Sequence, residues 1–325
     1  MRPELVPGGI IPANLMTFDA DLEIDERSYR RHIRYLVDTE GVTGITTVAH
    51  ASEVATMTFE EQQRTLDITL DEVAGKVPVV CGVYEDGTHK ATKIARMAER
   101  QGADCLLVFP SAVYDFGHQL RPEMAYKHIA AIAEATNLPI IVFVYPATSG
   151  LHIPTDSLVK ICAEIDNVVA IKEWSNDINV YERNYRELKA LDKNISVLSS
   201  FSKSLLASLC VGADGILSGH GSVIADLHVE MFDAVKRGDL ERARQVADRI
   251  YPVVQVTYAE PFLDAHNRMK EALAILGRID EAHVRPPLQR ISDAEREEIR
   301  RVITEAGLPD ARKEQPDAST VGGRA

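Results

Sequence analysis

Several features that would place a chain in other classes are scarce or missing here. Only four cysteines occur in 325 residues, Cys81, Cys105, Cys162 and Cys210. They are far apart with no C-x-x-C spacing, so free buried thiols are expected rather than a disulfide framework or a zinc site. No stretch approaches the roughly 18 uncharged apolar residues of a membrane span, and the opening MRPELVPGG has no apolar signal region. No membrane partner and a cytoplasmic location are therefore expected. Basic residues are outnumbered, 36 Lys and Arg against 49 Asp and Glu, for a net charge of −13. A nucleic-acid partner, whose phosphates call for a basic face, is not expected, whereas a small anion remains compatible because a local pocket can oppose the global charge. No G-x-G-x-x-G loop appears, and neither does an H-x-x-x-H pair nor a carboxylate cluster of metal-ligand spacing.

What is present is alternation. Hydrophobic residues make up 45% of the chain, enough for one large core. Short apolar runs at 8–15, 44–49, 77–83, 104–109, 138–145, 168–172, 195–200 and 214–219 alternate with stretches of helical period at 24–38, 58–74, 89–101, 122–136, 155–164, 178–191 and 203–211. Eight strands separated by helices within about 220 residues fit a (β/α)8 barrel better than an open doubly wound sheet. Beyond the eighth strand the pattern is helical only, at 222–236, 238–252, 255–277 and 292–306, with breaks expected at Pro252, Pro261, Pro286 and Pro287. The expected organisation is a barrel over 1–221, C-terminal helices packed on it over 222–306, and a flexible tail over 307–325 rich in Pro, Gly, Asp and Lys.

Residues 168–175, VVAIKEWS, place Lys172 at the end of a strand that reads as buried on both faces. A buried ammonium is costly unless it is paired or gives up its proton. Taken alone, the segment also allows Lys172 to be the first residue past the strand, its stem packed and its head in water. In a barrel, however, active sites lie at the C-terminal ends of the strands. A lysine there is placed to attack a carbonyl and form a Schiff base, whose protonated imine then draws electrons from the adjacent carbon.

The segments GGIIPANLMTFDADLEID, VAHASEVATMTFEEQ, LPIIVFVYPATSG, VVAIKEWSND and GADGILSGHGSV, with the later HNRMKEALAILGR and VRPPL, occur in one order over roughly residues 8–300. In this the chain resembles the superfamily of dihydrodipicolinate synthase and N-acetylneuraminate lyase, class I aldolases and dehydratases. The resemblance implies a TIM barrel, a 2-oxo acid such as pyruvate as the small-molecule substrate, a homo-tetramer or dimer, and Lys172 as the Schiff-base lysine. It implies no cofactor, since the imine supplies the electron sink.

The departures from that pattern define the other candidates. Where the family carries G-T-T-G-E to hold the substrate carboxylate, this chain reads Ala49-His50-Ala51-Ser52-Glu53. Ala51 and Ser52 are expected to bind substrate through backbone amides and the Ser52 hydroxyl, and Glu53 to organise the loop. His50 is either a histidine hydrogen-bonded under that loop or a group that contacts substrate and moves a proton. Where the family has its proton-relaying tyrosine, this chain has Phe143, which lines the site but moves no proton. Tyr145, on the same face by period-2 alternation, either takes over the relay or is a rim residue. His50 is the first choice for the proton carrier and Tyr145 the second. The arginine that binds a second carboxylate in dihydrodipicolinate synthases is replaced by Thr148. The turn Ser218-Gly219-His220-Gly221-Ser222 offers Gly219 and His220 to the ligand, with Ser222 as a helix N-cap, although a plain tight turn also explains its glycines. Trp174 reads as packing under a loop or as a substrate platform. The chain is thus expected to be a lyase for aldol cleavage or condensation of a 2-oxo acid. A 2-keto-3-deoxy sugar-acid dehydratase using the same lysine and a non-catalytic ligand-binding barrel are the alternatives.

Overall fold

The computed structural model describes residues 5–311. Eight parallel strands form the sheet: β1 (Gly9–Pro12), β2 (Ile45–Thr47), β3 (Val79–Val83), β4 (Cys105–Val108), β5 (Ile140–Val144), β6 (Val168–Glu173), β7 (Ser196–Ser199) and β8 (Gly215–Ser218). Their order runs β1-β8-β7-β6-β5-β4-β3-β2. The remaining seam, β1 against β2, is closed by parallel bridges Ile10 to Val42 and Ala13 to Thr46. Between the strands lie α1 (Glu26–Asp38), α2 (Phe59–Val73), α3 (Thr88–Gln101), α4 (Glu123–Glu134), α5 (Thr155–Glu164), α6 (Ile178–Lys189) and α7 (Leu205–Val211). The helices start where polar caps allow it. The Asp25 carboxylate accepts from the Ser28 amide at α1, and Thr58 with Glu61 forms a capping box at α2.

After β8 come α8 (Gly221–Lys236), α9 (Leu240–Thr257), α10 (Ala265–Ile275) and α11 (Asp293–Glu305). Helix α8, the first of the expected C-terminal helices, packs on β1 and β8, and one correction to the sequence reading follows. Pro252 lies within α9 and does not end it. One lost backbone bond is tolerated because Val246, Ile250, Val253 and Val254 bury that face of the helix. The break comes instead at residues 258–264. Of the expected tail, 307–311 are described: Leu308 is buried, and the Ala311 amide donates to the Leu276 carbonyl at 3.0 Å. Residues 312–325 lie outside the described residues. Cys81, Cys105 and Cys162 are free and buried, but Cys210 is exposed on α7. No described helix is long and apolar enough to cross a membrane.

The loop after β2 is held by unusual backbone. Val48 adopts φ +54° and Glu53 φ +53°, a region costly for a β-branched residue. Gly82 on β3 makes room for it, because a Cβ there would overlap the Val48 carbonyl oxygen. Gly82→Ala is expected to cost about 3 kcal/mol or more, at the upper end for overpacking a rigid core, measured by urea unfolding. A neutral effect would show that this loop yields freely.

Candidate active site

Period-2 alternation along β6 decides which way Lys172 points. Its neighbour Glu173 faces outward, accepting from Asn184 Nδ2 of α6 at 3.0 Å and from the Ser175 amide at 3.2 Å. Lys172 therefore points into the barrel. Its register partner on β5 is Phe143, and the Nζ stands 4.1 Å from the centre of that ring. The side chain is 6% exposed, and burial lowers its pKa to about 7. Among the described residues no carboxylate pairs with it.

The other buried lysine provides a contrast. Lys270 on α10 is ion-paired with Glu53 and also donates to the His283 carbonyl at 2.7 Å. The second Glu53 oxygen accepts the Arg285 amide at 3.1 Å. Glu53 is thus the organiser of the β2–α2 loop, held by the C-terminal region. Arg285 adds hydrogen bonds to the Thr56 carbonyl and the Glu61 carboxylate. One buried lysine is neutralised by its partner, and the other has no carboxylate partner among the described residues.

Around Lys172 the inward-facing residues of successive strands are aromatic. His50 packs against Tyr84, Phe109 and Tyr145, with ring centres 5.1, 4.7 and 5.6 Å away. Tyr145 lies 4.8 Å from Phe143, and Trp174 lies 5.9 Å from Phe143 and 5.7 Å from Tyr145. Trp174 also stacks on Phe262 at 5.5 Å, beneath the segment that joins α9 to α10. His50 and Tyr145 meet directly, His50 Nε2 to Tyr145 Oη at 2.7 Å. This enclosure lowers the His50 pKa to about 3, chiefly by withholding water, with the His266 and Lys172 charges adding to it. Burial likewise raises the Tyr145 phenol well above its usual value. His50 is therefore a weaker base than an ordinary imidazole, and the two side chains form one hydrogen-bonded pair.

The remaining candidates divide. The Ser52 hydroxyl donates to the Asn14 carbonyl at 2.9 Å and the Ser52 amide to the Ala49 carbonyl at 2.9 Å. Both Ser52 donors, which were expected to serve the ligand, are engaged by the fold and pin the loop in this structure. The Ala51 amide has no such bond among the described residues. Gly219 lies beside Ala51, where a Cβ would stand 3.4 Å from the Ala51 methyl. His220 goes elsewhere. It is fully buried against His228 and Tyr258, with Nε2 3.3 Å from the Thr257 hydroxyl, in the packing between the barrel and α9. Ser222 is inside α8 and does not cap it; its hydroxyl donates to the Ala13 carbonyl at 2.8 Å. Among the described residues no group of three His, Cys, Asp or Glu side chains is arranged to hold a metal.

An unpaired inward lysine on the sixth strand of an eight-stranded barrel coincides with a whole-chain match. The profile of the Dihydrodipicolinate synthetase family covers residues 6–306. The chain belongs to the dihydrodipicolinate synthetase family. It is 31% identical over 303 residues to the 4-hydroxy-tetrahydrodipicolinate synthase of Methanopyrus kandleri, covering 92% of this chain and 96% of that one. The crystal structure of dihydrodipicolinate synthase from Thermotoga maritima superposes with a TM-score of 0.84 at 29% identity, covering 94% of this chain and all of that one. A structure described as the first monomeric dihydrodipicolinate synthase variant gives 0.87 at 28%, over 95% and 99%. The protein is accordingly a class I lyase that joins a lysine to a 2-oxo acid as a Schiff base.

Within this family site, several residues were not anticipated from sequence: Tyr84, Phe109, Phe262 and His266. The first two follow strands β3 and β4 by one residue, a position that barrel geometry alone could have marked. Phe262 and His266 arrive from the C-terminal helices, and no local pattern reports that.

Proposed function

We propose that Lys172 is the Schiff-base lysine of an aldolase-type lyase that cleaves or forms a C–C bond next to the imine of a 2-oxo acid, with pyruvate as the carbon donor. The observation that supports it is the one buried lysine among the described residues that lacks a carboxylate partner, with its pKa near 7. The Lys172 amine adds to the ketone, water leaves, and the protonated imine takes the electron pair of the bond being broken. The proton of the cleaved hydroxyl passes to Tyr145 Oη as the tyrosine proton moves to His50 Nε2, which is already within hydrogen-bond distance. In condensation the same protons return. Borohydride reduction in the presence of pyruvate, read by intact mass and peptide mapping, tests the assignment: one adduct per chain is expected, on Lys172.

The acceptor is proposed to be an aldehyde without the second carboxylate of aspartate semialdehyde, although the relatives carry the name of the enzyme for that reaction. Position 148 holds an exposed threonine, which cannot offer the bidentate grip of an arginine, and the walls are aromatic. Condensation of pyruvate with aspartate semialdehyde is expected to be at least about a hundredfold slower in kcat/KM than typical enzymes achieve on their own substrates. Turnover in the ordinary enzymatic range would overturn this choice of acceptor.

The proposed assembly is a dimer or tetramer acting in the cytoplasm. Val113, Phe116, Leu120 and Met124, on the segment after β4 and the start of α4, are all exposed, Phe116 by 93% and Leu120 by 87%. Large apolar residues grouped this way mark an interface. Light scattering at micromolar concentration is expected to give a dimer or tetramer. The double substitution Phe116→Asp and Leu120→Asp is expected to lower the mass, and a monomeric starting protein would contradict the proposal.

A further inference from the structure

The β2–α2 loop and the β8 turn lie side by side, Gly219 against Ala51, and their side chains offer few free hydrogen-bond donors. Ala51 has no polar side chain. The Ser52 hydroxyl and amide are both committed, and His50 Nε2 is engaged by Tyr145. A carboxylate brought into a buried site needs several donors, because leaving its oxygens unpaired there forfeits much of the binding energy. The His50 and Ala51 amides of the loop and the Gly219 amide of the turn donate to no described residue, and the side chains of Ala51 and Ser52 add no free donor beside them.

One imidazole stands against the loop and the turn from outside the barrel. His266 lies in the first turn of α10. A Cβ built on Gly219 would stand 3.3 Å from His266 Nε2 and 3.4 Å from the Ala51 methyl. Gly219 thus lies between the two, and the absence of a side chain there lets the imidazole approach the loop. No hydrogen bond from either His266 ring nitrogen to a described residue occupies the ring, which is half-buried. Burial and then the Lys172 and Lys270 charges lower its pKa to about 4, so it is neutral at pH 7 and keeps one N–H.

We propose that His266, supplied by the C-terminal helical region, binds substrate by donating its Nε2–H to the carboxylate of the 2-oxo acid joined to Lys172. The inference rests on Lys172 being the Schiff-base residue. A histidine in this position makes the C-terminal helices part of the substrate site, and it ties 2-oxo acid recognition to the same helix whose Lys270 anchors Glu53. Gly219 has a defined purpose in this arrangement, since any side chain there would press on the ring.

The test uses the full-length protein and follows borohydride-trapped adduct on Lys172 against pyruvate concentration, with acetone, which has the ketone but no carboxylate, as the comparison. His266→Ala and His266→Phe both remove the donor, and the phenylalanine keeps the ring volume should alanine impair folding; His266→Gln retains an N–H. Loss of the donor is expected to raise half-saturating pyruvate by roughly ten- to a hundredfold, the span for a lost hydrogen bond to a charged group. Maximal trapping and the response to acetone should stay the same, and His266→Gln should recover most of the difference. An unchanged pyruvate dependence in both donor-less variants overturns the role of His266 alone. So does an equal weakening toward pyruvate and acetone, which would make His266 a support for the lysine. A wild-type protein that traps no 2-oxo acid on Lys172 overturns the Schiff-base assignment first, and this inference with it.

Discussion

Lys172→Ala is expected to eliminate the borohydride-trapped adduct and to lower kcat on the order of 10⁴-fold or more, the scale seen when a covalent nucleophile is removed. A solvent-exposed lysine titrating near 10.4 is neutral in only about one molecule in a few thousand at pH 7. With its pKa lowered to about 7 by burial, the Lys172 amine is neutral in about half of them. The rate of imine formation should therefore climb between about pH 6 and 8 and then level off. A rate still climbing steeply at pH 10 would mean that the amine titrates as on a surface. Lys270 is the control, because it is just as buried but paired with Glu53. Lys270→Met leaves that carboxylate uncompensated and is expected to destabilise the protein by about 3–5 kcal/mol, while any adduct that forms stays on Lys172. An adduct mapped to another lysine would remove the basis of the mechanism.

The second large effect concerns the proton. From sequence, His50 is expected to act and Tyr145 to matter far less, on the premise that an imidazole accepts protons at pH 7 without adjustment. The site changes that premise: enclosure lowers the His50 pKa to about 3 and raises Tyr145. Neither is a good base alone, and the 2.7 Å bond between them joins the two into a single relay. His50→Ala and Tyr145→Phe are each expected to lower kcat by about 10² to 10⁴, the usual span for a lost general base. The double variant should then be little worse than the more damaged single one, as for residues that act as a unit. Adduct formation on Lys172 should persist in all three. Losses that multiply in the double variant would show two independent roles, and a nearly normal Tyr145→Phe would return the proton to His50.

The barrel was legible in the sequence because it is written in local periods. Apolar runs such as 138–145 and 168–172 are continuous, as strands buried on both faces must be, and the intervening helices carry their own caps. Lys172 was legible for the same reason, since a cation inside such a run violates the pattern at one point. Pro252 misled because a proline costs a helix one local bond, and the burial of Val253 and Val254 against distant residues outweighs it. Ser52 and His220 were ambiguous for a related reason. A hydroxyl or an imidazole near a strand end is available to a ligand only if the fold does not use it, and the Asn14 carbonyl and the Thr257 hydroxyl that engage them are separated from them in sequence by 38 and 37 positions.

The sequence by itself therefore determined the architecture and the place of Lys172 at a strand end, because periodicity, capping and a misplaced charge are properties of neighbouring residues, and its ordered segments carried the resemblance to the family. Tertiary structure alone decided what surrounds that lysine: the pairing of Lys270 with Glu53 that leaves Lys172 as the unpaired amine, the joining of His50 to Tyr145 across 95 positions, and the arrival of His266 beside Gly219 and Ala51. Hydrogen bonds and pKa shifts depend on distances of a few ångströms and on the exclusion of water, and both are created only when remote segments close over one another.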